Sequence, residues 1–570
     1  MSLYSSEARS RSGDDDAPKP SVWARTKHTF SSFENFHRAI QIRGSTHSLQ
    51  NIDLLPTRVD RRVWGVVSFF CYWFSESWAI ATWSYGSTMV LAGMNIWESI
   101  LVVFFSNVII AGACVMNSRA ATSYHLGYPV LARASFGIYA HYFFVVLRAI
   151  LGIIWGGVQL YYEGQFISIC LRCIFPGWMK IHNAIPAEQK IDVQTMLGFF
   201  FAFVITLPLL FVHTYKLRHL FTVKSVLVPL AGLGVVIWAA VENNGINSNV
   251  LVDKSVRGST HTFAFAVLGQ MNAVFGATSA LVVTVPDLAR YASDSKAQIW
   301  GQMLGLPIAQ TICAAFGILT TAAVKEMWNE DYWNVYDLLN GILDHGYTSR
   351  ARAGVFFAAF AFAFATLGTT IACNIIPFAA DVTCLMPKYI NVVRGQLLCL
   401  LIAFAIVPWR IMADATTFVQ FLGGYSIFQG SVVGIMSVDY LLLRKGNLDL
   451  RSLYTYDKHA AYYFKWGINW RAIFAFIVGF ALPFPGFVAD LAGSTGVAQG
   501  AFDMYQMGWL LSITTGSLSY YIAGLIFPLP QQDDEPFETR VSELEPFIEE
   551  LDYGDGAFFD EDDLVNEPKV

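Results

Sequence analysis

A tryptophan and a glutamine four residues apart, Trp155 and Gln159, stand inside an apolar run from about His141 to Tyr162. On a helix that spacing brings the indole and the carboxamide to one face. An indole stacks on a planar ring, and a carboxamide offers one acceptor and two donors to that ring's edge. Between them Gly156 and Gly157 remove side chains where a flat molecule, or a neighbouring helix, comes close to the backbone. Two readings follow: a small-molecule site, or packing between membrane helices, in which small residues and amides also serve. A second cluster is Gly368-Thr369-Thr370-Ile371-Ala372-Cys373-Asn374-Ile375-Ile376-Pro377. Its glycine and proline loosen a helix, and irregular backbone at membrane depth is tolerated only where it is buried in protein or lines a cavity. Asn374 then presents its amide either to a ligand or to another helix.

An ionisable group in such a run costs about 2.5 to 3.5 kcal/mol at bilayer depth on insertion scales. Glu76, in Trp73-Phe74-Ser75-Glu76-Ser77-Trp78, therefore needs a partner, a cavity or a proton. Burial disfavours its charged form, the property a proton carrier requires; a structural pair with Arg148 is the alternative. Asp287, Asp381 and Asp439 lie at the ends of their runs and read as solvated or capping groups. The eight cysteines (71, 114, 170, 173, 313, 373, 384, 399) read as small apolar packing residues. Cys170 and Cys173 form a CxxC without a second pair or a flanking His, so no metal centre is expected. No nucleophile-base pair or phosphate loop stands out, which speaks against an enzyme.

The elements that must position these residues follow from composition. Of 570 residues 55% are hydrophobic and 14% charged, and the net charge of -6 gives no reason to expect a nucleic-acid partner. The first fifty residues are polar, so no cleavable signal peptide is expected there. All-α, polytopic membrane architecture is predicted, with apolar runs near 64–90, 97–116, 139–165, 196–212, 221–241, 262–285, 301–323, 354–378, 395–409, 417–442, 472–492 and 506–528. We number these spans one to twelve. Basic residues concentrate in the even-to-odd joints, for example Arg119, Arg133, Arg290, Lys296, Lys388 and Arg394. The positive-inside rule then places both tails, 1–63 and 529–570, in the cytoplasm. The second is acidic and is expected to stay disordered.

Separate tracts in order carry a resemblance: 51–64, Ser123-Tyr124-His125, 133–138, 155–159, 218–224, Val285-Pro286-Asp287-Leu288-Ala289-Arg290-Tyr291, 368–377, 385–390, Asp439-Tyr440 and 467–472. Together they resemble the nucleobase-cation-symport-1 family, in its fungal branch of uracil, allantoin and uric acid permeases. The likeness runs from about Asn51 to about Pro530. It implies a leucine-transporter-like fold at the plasma membrane: two inverted five-helix repeats, 64–241 and 262–442, then two extra helices in 472–528. In such folds the first helix of each repeat is broken near the midplane. Spans three and eight are equivalent, so Trp155, Gln159 and Asn374 are expected to face one pocket, as stacking ring and edge-reading amides.

Two departures qualify the resemblance. Sodium-coupled bacterial relatives carry a Ser-Thr pair where this chain has Gly368-Thr369, so sodium loses an oxygen ligand. A proton is the expected coupling ion, with Glu76 and Thr369 as the coupling groups and no cofactor. Thr278 stands where those relatives place another stacking Trp, which implies one-sided stacking and a roomier pocket. In span ten, Tyr425 and Phe428 beside Gly423-Gly424 are gate candidates. The segment 51–62 is expected to clasp cytoplasmic loops, and the acidic tail to recruit a ubiquitin-ligase adaptor. Thiamine, nucleosides and nicotinamide riboside are alternative substrates, and a receptor that senses without transporting is the alternative function.

Overall fold

A chain segment in hydrocarbon must bond every backbone N–H and C=O internally, which makes each apolar run helical. The computed structural model describes residues 49, 54–211, 218–247, 252, 257–493 and 496–530. The tail segments 1–48 and 531–570, with the expected adaptor patches, lie outside them. Among the described residues, eight helices are long and apolar enough to cross a membrane, and a ninth span is Trp470–Ala481 with Phe484–Leu491, bent by 50°. The other three of the twelve expected spans are a broken span one and the shorter apolar helices Val193–Leu209 and Val392–Ala405.

Span one consists of Val66–Ser77 and Ile80–Leu91, parted by Trp78 and Ala79 in non-helical backbone. Neither glycine nor proline stands at the break. Tertiary packing is what holds it, with the Trp78 ring 5.4 Å from that of Phe316 in span seven. Span six corrects the expectation from the inverted repeat: Thr260–Ala289 is one unbroken helix. Its Pro286 lies in the last turn, where a missing N–H does not open the helix middle. Span eight widens into a π-helical turn at Thr370–Ile375, between Ser349–Thr369 and Ile376–Leu385. Such turns recur at functional sites because they displace side chains from the regular helical register.

Asp381 and Asp439, expected to be solvated or capping, are buried in ion pairs, which corrects that reading; Asp287 is part-buried and does cap, its Oδ1 accepting from Tyr128 N–H at 2.9 Å at the start of the helix Tyr128–Phe136. Asp381 and Asp439 are each 1% exposed. Arg148 Nε donates to both Asp381 carboxylate oxygens at 3.0 and 2.8 Å, and its Nη1 reaches Asp287. Asp439 accepts from Arg444 Nε at 3.0 Å, Tyr520 OH at 2.7 Å and Ser135 Oγ at 3.1 Å. A carboxylate at a span end stays ionised inside protein only when cations and donors replace its water. The Arg148 cluster ties span three to spans six and eight about 10 Å along the helices from Trp155 and Asn374, at 1.5 Å per residue.

The segment after residue 54 lies across three joints. Thr57 N–H donates to His125 O at 2.9 Å, Arg290 Nε to Thr57 Oγ1 at 2.6 Å, and Tyr454 OH to Leu54 O at 2.9 Å. His125 Nδ1 lies 3.0 Å from Arg290 O. Burial, with Arg62 acting in the same sense, pushes the His125 imidazole from 6.5 down to about 4. A histidine held low contributes stability above its unfolded pKa, and that contribution is lost as pH falls through the window between 6.5 and about 4. We expect proteolysis within 54–64 of the purified chain to accelerate by up to about a hundredfold across that window, the effect of about 3 kcal/mol. His125→Gln, which cannot titrate there, should remove the acceleration; a profile unchanged by the substitution would discard the role of His125.

Candidate functional site

Beside the break in span one lies a cavity of about 60 Å³. Its wall contains Glu76 and Thr82 of span one, Trp155 and Gln159 of span three, and Thr278 of span six. Gln310 of span seven and Thr369, Cys373 and Asn374 of span eight complete it. The expected binding and coupling residues are thus brought together by four different spans. A liquid water occupies about 30 Å³, so the volume suits roughly two waters, against about 300 to 1,000 Å³ for typical ligand pockets. The walls are drawn together in this conformation.

Helical spacing sets Trp155 and Gln159 on the cavity face, while the glycines between them look elsewhere. A Cβ on Gly157 would meet Ala403 O at 2.9 Å and Ile406 at 2.8 Å. Gly157 therefore serves the close approach of spans three and nine, whereas a Cβ on Gly156 would make only ordinary contacts, 3.6 Å from Ala403 and 3.8 Å from Asn374. The Trp155 indole donates from Nε1 to Tyr425 OH at 3.1 Å, and Tyr425 OH donates to Gly276 O. Tyr425 thus fixes the indole and bridges spans three, six and ten. Phe428 is not brought to the cavity; its ring packs 5.1 Å from Phe480 and 6.5 Å from Phe476 in span eleven.

The amides differ in how they are satisfied. Gln159 is 3% exposed and its Oε1 is buried with no hydrogen-bond partner. Asn374 Nδ2 donates to Thr369 O at 3.3 Å, a bond made available by the π-helical turn. Thr278 Oγ1 lies 3.4 Å from Gln310 Oε1, which also accepts from Tyr85 OH at 3.0 Å. A buried carbonyl oxygen without a donor is costly, and a site that binds N–H groups is one place where it is kept.

Glu76 does not pair with Arg148. Its partner is Lys224 of span five, whose Nζ donates to Glu76 Oε1 at 3.1 Å and to Thr369 Oγ1 at 2.6 Å. Cys373 Sγ donates to Glu76 Oε2 at 2.9 Å, and Tyr72 OH lies 3.6 Å from Cys373 Sγ. Both charged side chains are excluded from solvent, at 0% and 1% exposure. Cys373 is therefore more than the packing residue expected. Sequence reasoning missed Lys224 and Gln310. Lys224 had a signal, since a lysine at the start of an apolar run needs an acid partner and Glu76 was the acid without one. Gln310 had only its polarity in span seven.

The family model for permeases of cytosine/purines, uracil, thiamine and allantoin matches residues 56–512. The allantoin permease of Saccharomyces cerevisiae is 34% identical over 516 residues, covering 90% of this chain and 80% of that protein. The uracil permease of the same yeast is 34% identical over 489 residues, covering 85% and 77%. Among solved structures, the transporter Mhp1 of the nucleobase-cation-symport-1 family, closed with bromovinylhydantoin bound, matches with a TM-score of 0.67. That match has 19% identity and covers 87% of this chain and 100% of Mhp1. At that identity the likeness speaks for the fold, a leucine-transporter-like arrangement.

Proposed function

Because the chain belongs to the family of permeases for cytosine/purines, uracil, thiamine and allantoin, we propose that it is a proton symporter for uracil, allantoin, uric acid or a related cyclic amide. It is a secondary transporter rather than an enzyme. The observation that carries the substrate class is the unpartnered Gln159 Oε1 beside Trp155 and Asn374 in one cavity. These rings share N–H/C=O edges, which a carboxamide meets with two antiparallel hydrogen bonds, much as Asn and Gln read adenine. Trp155 supplies the stacking face, and Thr278 leaves the other side open.

The coupling reading rests on Lys224. Its ammonium already takes the Thr369 hydroxyl and the Glu76 carboxylate, oxygens that a sodium ion would otherwise use. A proton arriving on Glu76 leaves a buried ammonium without its counter-charge, a costly state that the protein escapes by separating span five from spans one and eight. Alternating access also requires the Arg148 cluster to part, since it joins span three to span six. The chain is a multi-pass membrane protein, and we place it in the plasma membrane with both tails cytoplasmic and the acidic tail as a docking segment for a ubiquitin-ligase adaptor.

The test is uptake of radiolabelled uracil in transporter-null yeast at two external pH values, with allantoin, uric acid, uridine and thiamine as competitors. Saturable uptake that rises at acid pH and is blocked by allantoin or uric acid is the expected outcome. Absence of uracil uptake from protein seen at the plasma membrane would move the reading to a vitamin or nucleoside permease, or to a receptor. In the same cells, ligand-triggered internalisation that persists after deletion of 531–570 would remove the adaptor role.

A further inference from the structure

A second recess, of about 410 Å³, opens at the end of the molecule away from segment 54–64. Thr88 of span one, Gln270 of span six and Gln420 of span ten line it, with Asp490 of span eleven and Gln506 before span twelve. It lies in line with the central cavity. On span six Ala273 borders the recess and Ala277 the cavity, one turn apart; on span one Thr88 and Thr82 do the same. At 1.5 Å per residue the two are separated by about 6 to 9 Å along these helices. Between Ala273 and Ala277 on span six stands Gly276, whose O accepts from the Tyr425 hydroxyl and against which Leu422 packs.

Two amides in the recess wall each hold an unpaired acceptor that a turn of the carboxamide would bring to the open volume. Gln270 Oε1 and Gln506 Oε1 are buried without a hydrogen-bond partner, as Gln159 Oε1 is in the central cavity. Its other amides are engaged: Asn272 Oδ1 accepts from Trp509 N–H at 2.9 Å, its Nδ2 lies 3.4 Å from Tyr505 O, and Gln420 Nε2 donates to Asp490 O at 3.3 Å. Phe265 and Phe502 add aromatic surface to the same walls. Two carboxamide oxygens left without donors, beside aromatic rings, suit a flat molecule that carries N–H groups on its edge. The volume falls in the range of about 300 to 1,000 Å³ in which small-molecule sites lie.

We propose that this recess is a second binding site for planar N–H-bearing heterocycles, in which Gln270 and Gln506 receive the ring edge and Tyr425 separates it from the central site. The ligand class rests on the cyclic-amide reading given above. The site would hold an incoming ring within two helical turns of Trp155, so that movement of Tyr425 admits it.

The experiment uses the full-length chain purified in detergent micelles, carrying Thr416→Cys on the exposed rim and compared with the parent for labelling of its native thiols. Maleimide labelling is timed with uracil, allantoin or uric acid present. Occupancy slows labelling by the factor 1 + [L]/Kd, about tenfold at a concentration about ten times Kd. We expect protection by at least one of these rings, protection that survives Asn374→Ala and is lost in Gln270→Leu/Gln506→Leu. Each variant is checked for a monodisperse elution profile, and the two glutamines are also replaced singly. Protection by none of the three, or protection abolished by Asn374→Ala, overturns the second site. Uptake without such protection would leave transport standing and remove the recess; protection without uptake would do the reverse.

Discussion

Lys224→Met is expected to cost most of the folded protein and all of the uptake, whereas Lys224→Met/Glu76→Gln is expected to recover the fold without the response to pH. In the single variant the Glu76 carboxyl is left at 1% exposure without a cation, with only the Cys373 thiol as donor. Removing one partner of a buried pair costs about 3 to 5 kcal/mol, a large share of a typical 5 to 15 kcal/mol. In the double variant no buried charge is left in the pair, and the amide oxygen of Gln can still accept from Cys373. Thermal unfolding of the purified variants reads the first effect, and initial uptake rates at several external pH values read the second. A double variant with the wild-type pH profile would show the pair to be structural. Glu76→Gln alone, if it transported with full dependence on the proton gradient, would do the same for Glu76.

Gln159→Ala should leave stability unchanged or higher while lowering uptake about 10- to 100-fold in kcat/KM, the effect of losing roughly 1 to 3 kcal/mol of hydrogen bonding to a bound ring. The sign on stability follows from the buried Oε1, which has no partner to lose. Interhelical glue would behave in the opposite way, since deleting a satisfied amide lowers stability. Asn374→Ala gives up one 3.3 Å bond to Thr369 O and should melt slightly lower, with a similar loss of uptake. Competition by analogues that lack one N–H should weaken in wild type and matter less in Gln159→Ala, because the discriminating acceptor is gone. A Gln159→Ala protein with normal uptake, or one with a clearly reduced melting temperature, would return this residue to helix packing.

The helices were legible because hydrocarbon leaves the backbone one economical conformation, and runs of the required length are visible as composition. The irregular turn of span eight was legible too, since Gly368 and Pro377 bracket a polar stretch at membrane depth, and the π-helical turn falls at Thr370–Ile375. The break in span one had no such mark. Its two non-helical residues are Trp78 and Ala79, and nothing in their types demands that backbone. Span six misled in the other direction, because repeat symmetry suggested a break that the chain does not make.

By itself the sequence determined which residues could meet a planar polar ring. The 3.6-residue period puts Trp155 and Gln159 on one face, and the position of Asn374 in an interrupted helix points it away from lipid. Tertiary structure alone decided how the charges pair: Lys224 with Glu76, Arg148 with Asp381 and Asp287, Arg444 with Asp439. It also decided that Gly157 faces span nine rather than the cavity. The reason is physical. A desolvated charge is stabilised by the few oxygens or nitrogens within about 3 Å of it, and those come from helices distant in sequence, whose rotation and depth are set by packing that no local pattern records.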